Sequence, residues 1–166
     1  MYNTLFPHDG EKPCVNGSGL PLTYIFQEEK RMVIAIISTD SKKLLVTEFC
    51  MAYCEILNRH HLCSTAITGK YISESTGLTI ERLMTGARGG IDQIASRIAY
   101  NEVDLLLYFG DPAHEEEYLE GEMNLIRLCD LYNVPVATNI ATAEALVFAL
   151  ARGDLDWRNN IKKEQH

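Results

Sequence analysis

The strongest constraint on the fold is a series of short apolar, β-branched runs that alternate with helix-forming segments. Met32–Ser38 (MVIAIIS) is continuously apolar until its last residue, which is typical of a strand buried on both faces of a parallel sheet. Val103–Phe109 (VDLLLYF) repeats this pattern. The other predicted strands are Leu62–Thr68, Leu78–Met84 and Val134–Thr138.

Helices are predicted between these strands. Thr39–Ser41 supplies N-cap residues, and we expect the helix that follows to run to about Asn58. Strands that alternate with helices indicate the α/β class, here a three-layer architecture whose five-stranded, mostly parallel sheet carries helices on both faces. The remaining predicted helices are Gly69–Thr76, Ile91–Asn101, Glu122–Tyr132 and Thr142–Leu150.

The chain of 166 residues suits a single domain with flanking segments. Pro, Gly, Asn and Ser recur through the first thirty residues, so 1–30 is predicted to be an irregular N-terminal extension with a short strand at Leu20–Phe26. Residues 31–152 form the predicted α/β domain, and 153–166 form a C-terminal tail.

Composition narrows the function classes. The net charge of −8 predicts repulsion of nucleic acids and anionic membranes, so an anionic ligand requires a local positive pocket. No run approaches the ~20 apolar residues of a membrane span, and the N-terminus lacks a signal-peptide pattern, so we expect a cytoplasmic protein. The five cysteines have no zinc-site spacing, and we expect reduced thiols, no metal and no cofactor.

Polar and glycine-rich residues follow the predicted strands, at the edge where parallel sheets bind ligands. Backbone amides near glycines, hydroxyl groups and helix N-termini are groups that bind phosphate. Each feature alone also has a structural explanation, such as a helix cap or a solvated arginine, but together they predict a phosphate site. The candidates are Asp40, Lys43, Thr65, Thr68, Gly69, Thr85, Gly86, Arg88, Gly89, Gly90, Asp92, Asp111 and Asn139.

The order of these motifs resembles the methylglyoxal synthase family. TDxxK, TG, TGxxGG and a buried strand followed by DP occur in that order, and the segment Asn133–Ala143 (NVPVATNIATA) is the most specific part. The resemblance extends over about residues 32–150. It implies an enzyme that converts dihydroxyacetone phosphate to methylglyoxal and phosphate, and a homo-oligomer, in this family a hexamer.

In that family a carboxylate removes a carbon-bound proton, an imidazole and other polar groups stabilise the enediolate, and phosphate then leaves. Carried over by position, the resemblance shows one difference at Ile67, where the family pattern has a hydroxyl group. The groups that it assigns to the phosphate are Lys43, Thr65, Thr68, Thr85 and Gly86.

The catalytic positions depart from the family pattern. The proton-abstracting aspartate corresponds to Ile91, and the nearest carboxylate, Asp92, stands one residue later, which turns a helical side chain by about 100°. Asp92, Asp40 and Asp111 are therefore the remaining catalytic candidates. The family's two histidines and a further aspartate correspond to Thr39, Tyr118 and Gly121.

Glutamates surround Tyr118 in the segment after the fourth strand. This segment has two interpretations, a solvated acidic loop or a lid that accepts hydroxyl-bearing or cationic groups, with Tyr118 stacking on a base.

Three functions remain open. The departures favour a non-catalytic sensor, regulator or sequestering protein for a small phosphorylated metabolite, nucleotide-derived ligands included. The second is an active synthase whose base is Asp92, Asp40 or Asp111. The third is another phosphate-ester lyase or hydrolase that uses Asp40 and Asp111 with a metal ion.

Overall fold

The structure is a computed structural model that describes residues 31–113 and 119–164, with side chains described for 31–113 and 121–161. These residues belong to one compact unit, Arg31–His166. The predictions for segment 1–30, including the strand at Leu20–Phe26, and for Tyr118 lie outside the described residues.

A five-stranded, fully parallel sheet forms the centre of this unit, in the order β3-β2-β1-β4-β5. This confirms the predicted fold class. The strands are β1 (Val33–Ser38), β2 (His61–Ser64), β3 (Ile80–Arg82), β4 (Leu105–Phe109) and β5 (Val136–Ala137). The helices are α1 (Lys43–Ala52), α2 (Cys54–Leu57), α3 (Ala66–Thr76), α4 (Gly90–Ala99), α5 (Leu119–Leu131), α6 (Ile140–Ala151) and α7 (Arg158–Glu164), with 3-10 turns at Asp40–Lys42 and Gly86–Arg88.

Two separate apolar cores lie on the two faces of the sheet. Alternate residues of β1 point to opposite sides, so Ile34 and Ile36 join one core while Ile37 joins the other. The first core includes residues of α1, α3 and α6, and the second includes residues of α4 and α5. Burial on both faces explains why the central strands are continuous apolar runs in the sequence.

Several predicted boundaries are wrong. The predicted strand Leu62–Thr68 ends at Ser64, because Thr65 is the extended N-cap residue of α3 and Thr68 lies in the first helical turn. The helix expected to reach Asn58 is interrupted at Tyr53, where the backbone leaves helical geometry.

Cys50, Cys54, Cys63 and Cys129 are free thiols, as predicted for the described part of the chain. Burial raises the pKa of the Cys50 and Cys129 thiols to about 12, so both stay protonated at neutral pH. Within 31–113 and 119–164, no helix combines the length and the apolar character needed to cross a membrane.

Helix α7 lies in the segment that the sequence assigns to a tail, and it carries a buried arginine. The Arg158 side chain is fully buried, and its Nε lies 3.8 Å from Oδ1 of the buried Asp104. Asp104 Oδ2 accepts a hydrogen bond of 2.8 Å from the amide of Val33 at the start of β1. The guanidinium also donates to the carbonyl oxygens of Tyr132, Asn133 and Val103 at 2.9, 2.9 and 3.0 Å.

We expect Arg158→Met to lower the free energy of unfolding by about 3–5 kcal/mol, because a buried carboxylate loses the cation beside it. Urea denaturation followed by circular dichroism measures the change. The matched control is Arg152→Met, since Arg152 forms an exposed ion pair with Asp154 whose loss should cost about 0–1 kcal/mol. Equal losses in the two variants would contradict the structural role of Arg158.

Candidate functional site

Parallel pairing places the carboxyl ends of all five strands along one edge of the sheet. Helices α1, α3, α4 and α6 begin near this edge, because each follows the end of a strand or the loop after it. The amide groups of a helix N-terminus carry partial positive charge. This edge therefore favours anions although the chain as a whole is acidic.

Lys43 places a cation at the carboxyl end of β1. Its Nζ donates to the carbonyl oxygen of Ser38 at 2.7 Å and lies 3.2 Å from Ser38 Oγ. The carboxylate of Asp40 is 3.4 Å away, and the Lys43 side chain is only 12% exposed whereas that of Asp40 is 95% exposed. Burial lowers the pKa of Lys43, although the charge of Asp40 and its hydrogen bond partly oppose this shift.

Hydroxyl groups extend this arrangement from β1 to β2. Ser38 Oγ and Thr68 Oγ1 share a hydrogen bond of 3.3 Å, and Thr65 Oγ1 donates to Thr68 Oγ1 at 3.2 Å. Both threonines are buried, so their hydrogen bonds fix the position of Ser38 and, through it, of Lys43. The Thr65 side chain does not cap α3, so the backbone amides of the first helical turn receive no hydrogen bond from its hydroxyl group.

The glycine-rich loop after β3 folds tightly at the same edge. The amides of Arg88 and Gly90 both donate to the carbonyl oxygen of Thr85, at 3.0 and 2.9 Å. Gly89 has φ of 97°, a left-handed conformation that suits glycine. A Cβ at Gly90 would lie 2.2 Å from the carbonyl oxygen of Met84, so this position also requires glycine.

Two of the predicted catalytic carboxylates lie at the ends of adjacent strands. Asp111 follows β4 and accepts hydrogen bonds from Ser41 Oγ at 2.7 Å and from the amide of Ala113 at 3.0 Å. Asp40 follows β1 and pairs with Lys43. The turns after β1 and β4 thus place Asp40 beside Lys43 and Asp111 beside Ser41.

Ile91 occupies an apolar position in the first turn of α4. It is half-buried and packs against the core beneath α4 and α5. A Cβ added to Gly121 of α5 would lie 3.4 Å from Ile91 Cγ2, so these two positions face each other. Asp92 is exposed, and its carboxylate forms no hydrogen bond or ion pair with the residues described.

Asn139 and Gly69 have clear structural roles. Asn139 is the N-cap of α6, and its Oδ1 accepts a 3.0 Å hydrogen bond from the amide of Thr142. A Cβ at Gly69 would lie 2.9 Å from Cγ of Arg82, so glycine allows α3 to approach β3 closely. The predicted ligand-binding roles of these two residues stay predictions, as does that of the exposed Arg88.

Sequence reasoning missed Ser38 and Ser41. Ser38 was the last residue of a predicted strand, and its contact with Lys43 depends on how the first turn of α1 folds back over β1. Ser41 belongs to the predicted turn, but its link to Asp111 requires β1 and β4 to be neighbours. Neither contact has a local signal in the sequence.

A cavity of about 390 Å³ opens at the opposite, amino edge of the sheet. Most of its lining precedes or begins a strand, so it is remote from the carboxyl-edge residues described above. Among the residues whose side chains are described, no group of three or more His, Cys, Asp or Glu side chains has the arrangement of a metal site. The cavity is lined by Arg31, Asn58, His60, His61, Leu62, Thr79 and Glu81.

The relatives found by comparison with known proteins are methylglyoxal synthases. The chain is 48% identical to a methylglyoxal synthase of Caldicellulosiruptor saccharolyticus over 130 residues, 78% of this chain and 92% of that protein. It is 45% identical to a methylglyoxal synthase of Geobacillus sp. strain WCH70 over 131 residues, 79% of this chain and 94% of that protein. No protein-family model matches the chain.

A solved structure also has a fold similar to that of this chain. The crystal structure of methylglyoxal synthase from Elizabethkingia anophelis NUHP1 superimposes with a TM-score of 0.64 at 33% sequence identity. The similarity covers 70% of this chain and 77% of that chain.

We expect Gly90→Ala to destabilise the protein by about 1–3 kcal/mol, because the new methyl group would overlap the carbonyl oxygen of Met84. Gly86→Ala is the matched control, since its Cβ would meet only Ile91 Cγ1, at an ordinary 3.8 Å. Thermal denaturation of both variants measures the difference. A Gly90→Ala protein as stable as Gly86→Ala would contradict this loop geometry.

Proposed function

The chain belongs to the methylglyoxal synthase family, and we propose that it binds dihydroxyacetone phosphate and converts it to methylglyoxal and phosphate. The observation that carries the binding step is the Lys43 ammonium group, fixed against Ser38 at the edge where the helices begin. The names of relatives that share nearly half of the aligned residues support the chemical step.

Binding is proposed to place the phosphate group between Lys43 and the loop that starts at Thr85. The lysine contributes charge, and the half-exposed Thr85 and Gly86 contribute hydrogen-bond donors. Thr65 donates a hydrogen bond to Thr68, and Thr68 is hydrogen-bonded to Ser38. Both threonines therefore act on the phosphate indirectly, through Ser38 and Lys43. In this proposal Lys43, Thr85 and Gly86 contact the phosphate, whereas Thr65 and Thr68 support Lys43.

The reaction requires three changes at the bound ester. A carboxylate removes a proton from the hydroxymethyl carbon, the electrons move into the carbonyl to give an enediolate, and the carbon–oxygen bond to phosphate then breaks. Lys43 stabilises the departing phosphate because its positive charge lies at the site. The hydroxyl proton passes to the leaving phosphate as the aldehyde forms, and the enolate that remains gains a proton on its terminal carbon to become methylglyoxal.

A second candidate function is ligand binding without turnover, as a sensor, regulator or sequestering protein. Ile91 is the observation that favours it, because this apolar side chain occupies the position of the family's aspartate in the first turn of α4. A positioned acid–base group contributes about 10²–10⁴-fold to a rate, so its loss without replacement would leave binding alone.

We expect Lys43→Met to weaken binding of dihydroxyacetone phosphate about 10- to 100-fold in calorimetry, because a charged hydrogen bond is lost. Affinity should also fall as the pH rises toward the lowered pKa of Lys43, and the variant should lack this fall. The adjacent Lys42→Met is the control, with affinity within about threefold of wild type. Equal affinities for the two variants would contradict the proposed site.

Turnover is tested with a colorimetric assay of wild-type protein and dihydroxyacetone phosphate. We expect methylglyoxal and phosphate in equal amounts, because each turnover releases one of each. Tight binding of the substrate without either product would reject the synthase and favour the binding protein. Absence of both binding and product would reject both functions.

A further inference from the structure

The Ile91 side chain lies between the glycine-rich loop and the start of α5. A Cβ at Gly86 would lie 3.8 Å from Ile91 Cγ1, and a Cβ at Gly121 would lie 3.4 Å from Ile91 Cγ2. Gly86 begins the 3-10 turn after β3, and Gly121 stands in the first turn of α5. The two branches of one isoleucine therefore border α5 on one side and a residue proposed to hold the phosphate on the other.

Part of the Ile91 side chain remains accessible to solvent. The residue is half-buried and packs against the second core, and it stands in the first turn of α4, which begins at the carboxyl edge. The first turn of a helix favours carboxylates, and β-branched residues are weak helix formers, so helix formation does not account for an isoleucine here. Its accessible area can contact the carbon atoms of a ligand held at Gly86.

The neighbouring positions add little polarity to this surface. Gly121 has no side chain, so α5 offers no polar group where it faces Ile91. Asp92 is exposed and follows Ile91 in α4, where one residue turns a helical side chain by about 100°. The Gln93 side chain is engaged elsewhere, because its Oε1 accepts a 2.8 Å hydrogen bond from the amide of Met84. Ile91 therefore sets the character of the surface beside the loop.

We propose that Ile91 determines the specificity of the carboxyl-edge site and favours small phosphate monoesters whose first carbons after the phosphate are apolar. The phosphate group binds at Lys43 and the loop, and the carbon chain lies against Ile91. This inference rests on the phosphate binding of the proposed function and not on turnover. It adds a ligand class to the site, because short alkyl phosphates bind more tightly than dihydroxyacetone phosphate does.

The preference follows from what each ligand loses when it leaves water. Complete burial of a methylene group against apolar surface raises affinity about fourfold. A hydroxyl group placed against Ile91 leaves water without gaining a hydrogen bond from that side chain, which is unfavourable. One side chain contacts only a short chain, so the gain should end after about four carbons. A lipid phosphate would therefore gain nothing from its longer chains.

Calorimetry with inorganic phosphate and with methyl, ethyl, propyl, butyl and hexyl phosphate tests the inference. In wild-type protein we expect each added methylene to raise the affinity about two- to fourfold up to butyl phosphate, and hexyl phosphate to add little. Propyl phosphate should bind roughly tenfold more tightly than glycerol 3-phosphate, which carries hydroxyl groups on the same carbon skeleton. Dihydroxyacetone phosphate should also bind more weakly than propyl phosphate.

Two variants of similar shape isolate the effect of polarity at position 91. Ile91→Val keeps an apolar side chain, whereas Ile91→Thr has a hydroxyl group in place of one valine methyl. We expect the gain per methylene to persist in Ile91→Val and to fall below about 1.5-fold in Ile91→Thr. The matched control is Leu44→Thr, because Leu44 is an exposed apolar residue in the first turn of α1, and it should keep the wild-type series.

Three results would overturn the inference, and they differ from one another. Equal affinities along the alkyl series, in protein that binds dihydroxyacetone phosphate, would reject the preference and leave the proposed function intact. Equal gains per methylene in Ile91→Val and Ile91→Thr would reject the role of Ile91. Absence of binding of inorganic phosphate and of every ester would reject the site itself. Circular dichroism checks the fold of each variant, and the comparison of propyl phosphate with glycerol 3-phosphate needs no variant.

Discussion

All four strand pairings in the sheet are parallel, so every strand ends at the same edge, and the rest of the site depends on this constraint. Helices that begin at that edge direct their amide groups toward it, which makes one region of an acidic protein suitable for an anion. Lys43 adds a full charge at the centre of the edge, beside the end of the middle strand β1. The fold therefore determines where a phosphate ester can bind before any individual contact is considered.

The proposed reaction makes two separate demands on the site. Holding a phosphate group requires charge and hydrogen-bond donors, and we propose that Lys43 and the loop from Thr85 provide them. Proton abstraction requires a carboxylate of fixed orientation, and Ile91 cannot supply it. The chain belongs to the family but has isoleucine at position 91, so either another carboxylate removes the substrate proton or the protein has lost turnover.

Much of the fold was readable from the sequence because burial on both faces produces continuous apolar strands such as Met32–Ser38. The strand order was not, since it depends on contacts between distant segments. The end of β2 was misplaced because LCSTAIT continues an apolar, β-branched pattern after the helix has begun. Lys43, Asp40 and Asp111 were placed at the correct edge, whereas the roles of Ser38 and Ser41 were missed because they depend on tertiary contacts.

The most direct test of this account is a crystal structure of the protein grown with dihydroxyacetone phosphate. The account predicts phosphate oxygens within hydrogen-bond distance of Lys43 Nζ and of donor groups on Thr85 and Gly86. Phosphate bound instead in the cavity beside His60 and His61 at the amino edge, with the carboxyl edge empty, would contradict it.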